Sequence, residues 1–120
     1  MLDHVQIRVK DLAKSKAFYA AALNPLGYTV QYDSAPAVGL GAKSAKIPAL
    51  WLSQGESKGA VHVALAAPDR KSVDAFHKAA VSAGGRDNGP AGLRPDYHAS
   101  YYAAFVIDPD GNNLEAVCHV

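Results

Sequence analysis

The sequence predicts an α+β domain: two βαβββ modules whose strands form a curved mixed sheet around a concave cavity, with the helices on the convex side. Three observations carry this. The chain repeats itself at an offset of 58 residues, each copy opens on an alternating strand pattern that gives way to helical spacing, and the last two strands are joined by strong turn chemistry. The offset carries His4-Val5 onto His62-Val63, Asp11 onto Asp69, Ala17-Phe18 onto Ala75-Phe76, Ala21-Ala22 onto Ala79-Ala80 and Gly27 onto Gly85, without a gap.

In each copy the first strand, His4 to Val9 or His62 to Ala66, alternates so that one face meets the core. Asp11 and Asp69 then stand where helix N-caps are needed. Apolar residues follow at helical spacing: Leu12, Phe18 and Ala22, then Val73, Phe76 and Ala80. Each helix runs out near glycine, at Gly27 or at Gly84-Gly85, where a left-handed residue costs little. Three strands complete the first half, about Thr29 to Asp33, Val38 to Ala42 and Ile47 to Ser53. The second half adds a weak one near Asp87 to Pro90, then Tyr101 to Ile107 and Asn113 to His119. Asp108-Pro109-Asp110-Gly111-Asn112 joins the last two with a fixed φ, an Asx-type bond and a positive φ. Gln54 to Gly59 separates module 1 (about 1–54) from module 2 (about 58–120), and it is too short for a flexible linker, so residues 1–120 form a single domain.

Composition narrows the function. At 120 residues, 49% hydrophobic and 19% charged, the chain can bury a core. Twelve basic against eleven acidic residues, with no basic run, argue against a nucleic-acid partner. No window approaches the roughly 20 apolar residues of a membrane span, and the first ten residues lack a signal peptide's apolar stretch, so a cytoplasmic location is expected. The single cysteine, Cys118, excludes an internal disulfide and a thiolate cluster, and its parity turns it toward the helices. A dinucleotide fingerprint, a phosphate-binding glycine loop and a Ser-His-Asp pattern are all missing.

Strand parity puts His4, Gln6 and Arg8 on one face, as it does His62, Ala64 and Ala66, and Glu115, Val117 and His119. If the opening strands of the halves are related by a local two-fold, His4 and His62 point into one cavity, where Glu115 completes a two-His-one-carboxylate set. Such a set suits Zn²⁺, Mn²⁺, Ni²⁺ or Fe²⁺ and leaves coordination positions open. Arg94, Tyr97, His98 and Tyr101, in a Gly/Pro-rich segment, are candidates to bind substrate at the cavity mouth, with Trp51 a candidate for its wall; ordinary loop or strand packing is the competing reading of each.

The duplicated βαβββ pattern, a histidine near the start of each first strand and the run Asp108-Pro109-Asp110-Gly111-Asn112-Asn113-Leu114-Glu115 resemble the vicinal-oxygen-chelate superfamily, the glyoxalase, bleomycin-resistance and extradiol-dioxygenase group. The resemblance covers nearly the whole chain and implies that His4, His62 and Glu115 are metal ligands. Glyoxalase I adds a Glu on the last strand of the first module; this chain has Ala49, Leu50, Trp51 and Leu52 there, so its pattern is closer to the three-ligand members. Two functions follow as expectations. One is a metal-dependent lyase, dioxygenase or transferase in which the ion chelates neighbouring oxygens of a small substrate and Glu115, a ligand by default, serves as base if displaced. The other is a metal-free protein that sequesters a ligand in a groove. The resemblance further implies a homodimer.

Overall fold

The computed structural model describes residues 2–120. Strand β1 (Val5–Val9) leads to helix α1 (Leu12–Leu23), a 3-10 turn at Asn24–Leu26, and strands β2 (Tyr28–Ser34), β3 (Ala37–Ala42) and β4 (Leu50–Gln54). The second module repeats the order with β5 (His62–Ala66), α2 (Arg70–Ser82), β6 (Arg86–Leu93), β7 (Tyr102–Ile107) and β8 (Asn113–Cys118). The strands divide into two four-stranded mixed sheets, β1-β4-β3-β2 and β5-β8-β7-β6. In each, the opening strand runs parallel to the last and forms an edge.

Both helices start as their sequences demand. The Asp11 carboxylate accepts from Lys14 N at 3.0 Å and the Asp69 carboxylate from Ser72 N at 2.7 Å, satisfying amides that the first turn leaves unpaired. Ser15, Phe18, Tyr19, Ala22 and Leu23 of α1 are buried, as are Val73, Phe76 and Ala80 of α2. The two helices pack on each other and on their own sheets, so one hydrophobic core runs through both modules and includes Ile7, Val9, Leu52, Leu114 and Cys118. Each fully buried Leu or Phe contributes about 1.5–3 kcal/mol relative to exposure.

The strand boundaries differ from expectation where backbone chemistry intervenes. β4 starts at Leu50 rather than Ile47, because Pro48 has no N–H for a ladder and packs instead against Gly39, where an added Cβ would lie 2.7 Å from Pro48 Cγ. The weak strand near Asp87 to Pro90 extends over Arg86–Leu93, its register slipping around Gly89 and Gly92.

Aspartate 108 organises the turn before β8. Its Oδ1 accepts from the amides of Asp110 and Asn112, both at 2.8 Å, and its Oδ2 from Tyr19 Oη at 2.5 Å and Asn112 Nδ2 at 2.9 Å. Gly111 supplies the positive φ, +90°. Lys10 N donates to Asp110 at 3.0 Å and Val61 N to the Asn112 side chain at 3.0 Å. The turn therefore ties α1 of the first module to β5 and β8 of the second, and it fixes the register in which Glu115 is presented.

Candidate active site

Glu115 lies on β8 between Ala64 of β5 and Phe105 of β7, and it is only 1% exposed. A carboxylate so placed needs partners, and it has two. Oε1 is 2.8 Å from Nε2 of His62, and Oε2 accepts from the Tyr101 hydroxyl. The His62 ring remains about half exposed, so the pair has a buried end and a solvent-facing end. The hydrogen bond to Glu115, with burial adding to it, pushes the Tyr101 hydroxyl up to about 12, so it is a neutral donor at physiological pH.

Around Tyr101 the chain gathers an aromatic and imidazole cluster. Its ring meets Tyr97 edge-on at 4.8 Å, His98 at 5.5 Å and His119 at 5.3 Å between centroids. Nε2 of His98 and Nδ1 of His119 are 2.8 Å apart with their rings stacked. Arg94 lies over the Phe105 ring at 5.4 Å, and His62 borders the same ring at 6.3 Å. Four of the five candidate substrate-binding residues, Arg94, Tyr97, His98 and Tyr101, thus gather on the module 2 face with Glu115 and His62.

Trp51 belongs to the other module. It pairs with Gln6 as Glu115 pairs with Ala64, and with Gly39 as Glu115 pairs with Phe105, so Trp51 is the structural counterpart of Glu115. It packs near Tyr32, at 5.3 Å between ring centroids.

His4 precedes β1 as His62 opens β5, with its side chain on the exposed face shared by Gln6 and Arg8. Its Nδ1 is 2.7 Å from the Asp3 carboxylate. Among the described residues no three His, Cys, Asp or Glu side chains stand close enough together to hold an ion. His4 and His62 do line one groove of about 410 Å³ between the unpaired edges of β1 and β5, with Val5, Leu50, Val63 and Leu65. The structure therefore joins two of the three expected ligands, His62 and Glu115, and leaves the third, His4, lining a groove with His62.

Sequence reasoning missed two members of this face. Phe105 was readable from alternation along β7, since Tyr101, Ala103 and Phe105 share a parity. His119 shares Glu115's parity, but nothing local announces that His98 returns from 21 residues away to meet it.

The glyoxalase/bleomycin resistance protein/dioxygenase superfamily model matches residues 1–116. A glyoxalase/bleomycin resistance protein from Albidiferax ferrireducens T118 is similar in structure, with a TM-score of 0.81, 28% identity and 95% of each chain covered. A family enzyme from Burkholderia phytofirmans PsJN (TM-score 0.74, 19% identity, 99% of this chain and 98% of that one) and a glyoxalase-related enzyme from Fulvimarina pelagi (0.74, 18%, 98% and 86%) share the fold. No curated protein matches the chain. With two βαβββ modules in place and a family model spanning residues 1–116, the chain belongs to the glyoxalase/bleomycin resistance protein/dioxygenase superfamily.

Proposed function

We propose that the protein is a metal-dependent enzyme acting on a small substrate with two neighbouring oxygens, with His62, Glu115 and His4 as the residues that hold the ion. The observation carrying this reading is the His62–Glu115 contact. An imidazole nitrogen and a carboxylate oxygen 2.8 Å apart need to part by only a few tenths of an ångström to reach the roughly 3.0 Å (octahedral) to 3.4 Å (tetrahedral) that two ligands bonded at about 2.1 Å keep between them. A cation would also offset the charge of a carboxylate that is 1% exposed. Zn²⁺, Mn²⁺, Ni²⁺ and Fe²⁺ all accept this donor chemistry. When bound, the ion supplies Lewis-acid stabilisation of an enolate or oxyanion.

The chain's own residues do the rest. Tyr101 holds one Glu115 oxygen and fixes the carboxylate plane. Glu115, a ligand by default, is the group that would accept a proton from the substrate when displaced. Arg94, Tyr97 and His98 contact the substrate from the module 2 side, and Trp51 from the module 1 side. His4 joins by closure of the groove between β1 and β5, or from a second copy in a homodimer that covers those edges. No described helix is long and apolar enough to cross a membrane, and the buried, unpaired Cys118 suits a reducing, cytoplasmic setting.

A second reading has its own observation: both Glu115 oxygens already have partners within the chain, which suits a metal-free protein that sequesters a ligand. Metal analysis of protein purified without a His-tag, followed by calorimetric titration with each ion, separates the two. Uptake of one ion per chain that is lost in H62A and E115A and weakened in H4A supports the enzyme. Ligand binding by protein that takes up no ion supports sequestration. Light scattering tests the homodimer; a stable monomer at micromolar concentration rejects it.

A further inference from the structure

We propose that Arg94 is the anchor for a carboxylate on the substrate, so that the protein selects an anionic compound over a neutral one with the same neighbouring oxygens. This rests on the reading of His62 and Glu115 as the place where those oxygens bind.

The guanidinium is held in position by the strand it follows. Its Nη1 donates to Gly92 O at 2.9 Å and its Nη2 to Pro90 O at 2.7 Å. Both carbonyls belong to the irregular stretch of β6, where an added Cβ at Gly89 would come 3.1 Å from Arg94 Nη2 and one at Gly92 3.4 Å from Nη1. The glycines thus leave room for the side chain to lie across the strand. Beneath it is the Phe105 face, and Phe105 is the residue whose register partner is Glu115 and whose ring His62 also borders. Arg94 and the His62–Glu115 pair therefore flank one aromatic ring on one face of one sheet.

The cation lacks a counter-charge. Among the described residues no carboxylate lies within ion-pair distance of Arg94, whereas the close ion pairs among them are His4–Asp3, Lys16–Asp33, His62–Glu115 and His77–Asp87. Two carbonyl bonds use two of the five donors of a guanidinium and leave the remainder for a ligand. A half-buried, pre-positioned guanidinium without a counter-charge favours a planar anion that can take two N–H bonds, and a carboxylate is such an anion.

The test compares two probes with identical vicinal hydroxyls, 3,4-dihydroxybenzoate and its uncharged amide, by calorimetric titration of the full chain. Wild type should bind the acid about tenfold more tightly than the amide, the factor that one charge-assisted contact of roughly 1.4 kcal/mol provides. R94M should bring the two affinities together, and R94K should retain part of the preference. A purely structural role would lower stability in R94M without changing the acid-to-amide ratio. If R94M does not fold, the wild-type ratio at rising salt decides: it should fall, and a constant ratio overturns the proposal. Equal affinities in wild type, no binding of either probe, or a preference that survives R94M also overturn it. Repeating the titrations after chelation and with added zinc keeps the two readings apart. An Arg94-dependent preference in metal-free protein upholds this inference while the metal reading falls, and metal uptake without the preference does the reverse.

Discussion

Removing one oxygen atom tests how the buried carboxylate is held. Tyr101→Phe deletes the hydroxyl that donates to Glu115 Oε2 but keeps the ring that packs against Tyr97, His98 and His119. Glu115, 1% exposed, is left with His62 as its side-chain partner. A hydrogen bond to a charged group contributes about 1.5–3 kcal/mol, and because Tyr101 itself is half-buried, water can take part of the hydroxyl's place. The low end, about 1.5 kcal/mol, is therefore expected. With an unfolding entropy near 2.1 cal/mol/K per residue, a chain of this length has roughly 0.25 kcal/mol/K, so the melting temperature should fall by about 6 °C. Thermal unfolding followed by circular dichroism at pH 7, with chelator present, measures it. The same substitution in an E115Q background should cost about 1 kcal/mol less, because the acceptor's charge has gone. A shift below about 1 °C, or the same cost in both backgrounds, would refute the account of Tyr101 as the carboxylate's support.

Three further outcomes follow from other contacts. Gly85→Ala puts a methyl 2.5 Å from Val106 Cγ1, 2.7 Å from Phe18 Cε1 and 2.9 Å from the immovable Ala80 carbonyl, so a loss of about 2–3 kcal/mol is expected in denaturant titration, while Gly59→Ala, with open space around it, should change little. Tyr19→Phe takes a donor from Asp108, which is 4% exposed, and should cost about 2 kcal/mol by the same measurement; an unchanged midpoint would show that the Asp108 turn holds without it. Because folding raises the Tyr101 hydroxyl from 10.0 to about 12, its contribution is complete below pH 10 and disappears as pH rises through about 12. Tyrosinate absorbance of wild type minus Y101F should titrate in that upper range, and a difference curve centred at 10 would contradict the contact.

Much of the fold was legible because local signals and the repeat agreed. Asp11 and Asp69 cap the helices, and Val5, Ile7 and Val9 turn inward while His4, Gln6 and Arg8 turn out. The repeat also hid a difference. Gly27 and Gly85 align, yet Gly27 is glycine for its φ of +85° and Gly85 for the absence of a Cβ between Phe18 and Val106, with Gly84 (φ +102°) taking the left-handed role. One letter satisfies two unrelated demands, and only packing tells them apart. In the site, parity was enough to bring Glu115 and His62 to one face. It could not say how far β1 stands from β5, because that spacing is set by the packing of α1 on α2 and not by either strand's own residues. For the same reason the position of His4 relative to the pair was beyond reach. Register was the other hidden variable: that Trp51 occupies the place of Glu115 emerges only from the ladders.

The Asp108 turn also has a consequence for how the chain is made. Its bonds to Tyr19 and Lys10 span 89 and 100 residues. At translation rates of about 5–20 residues per second, α1 leaves the ribosome on the order of 5–20 s before the carboxylates that anchor it. Throughout that interval Phe18 and Tyr19, both almost fully buried in the finished protein, lack their second-module neighbours. The first half is thus born as an unfinished surface, and its exposure to chaperones, proteases and other nascent copies is set by the speed of synthesis.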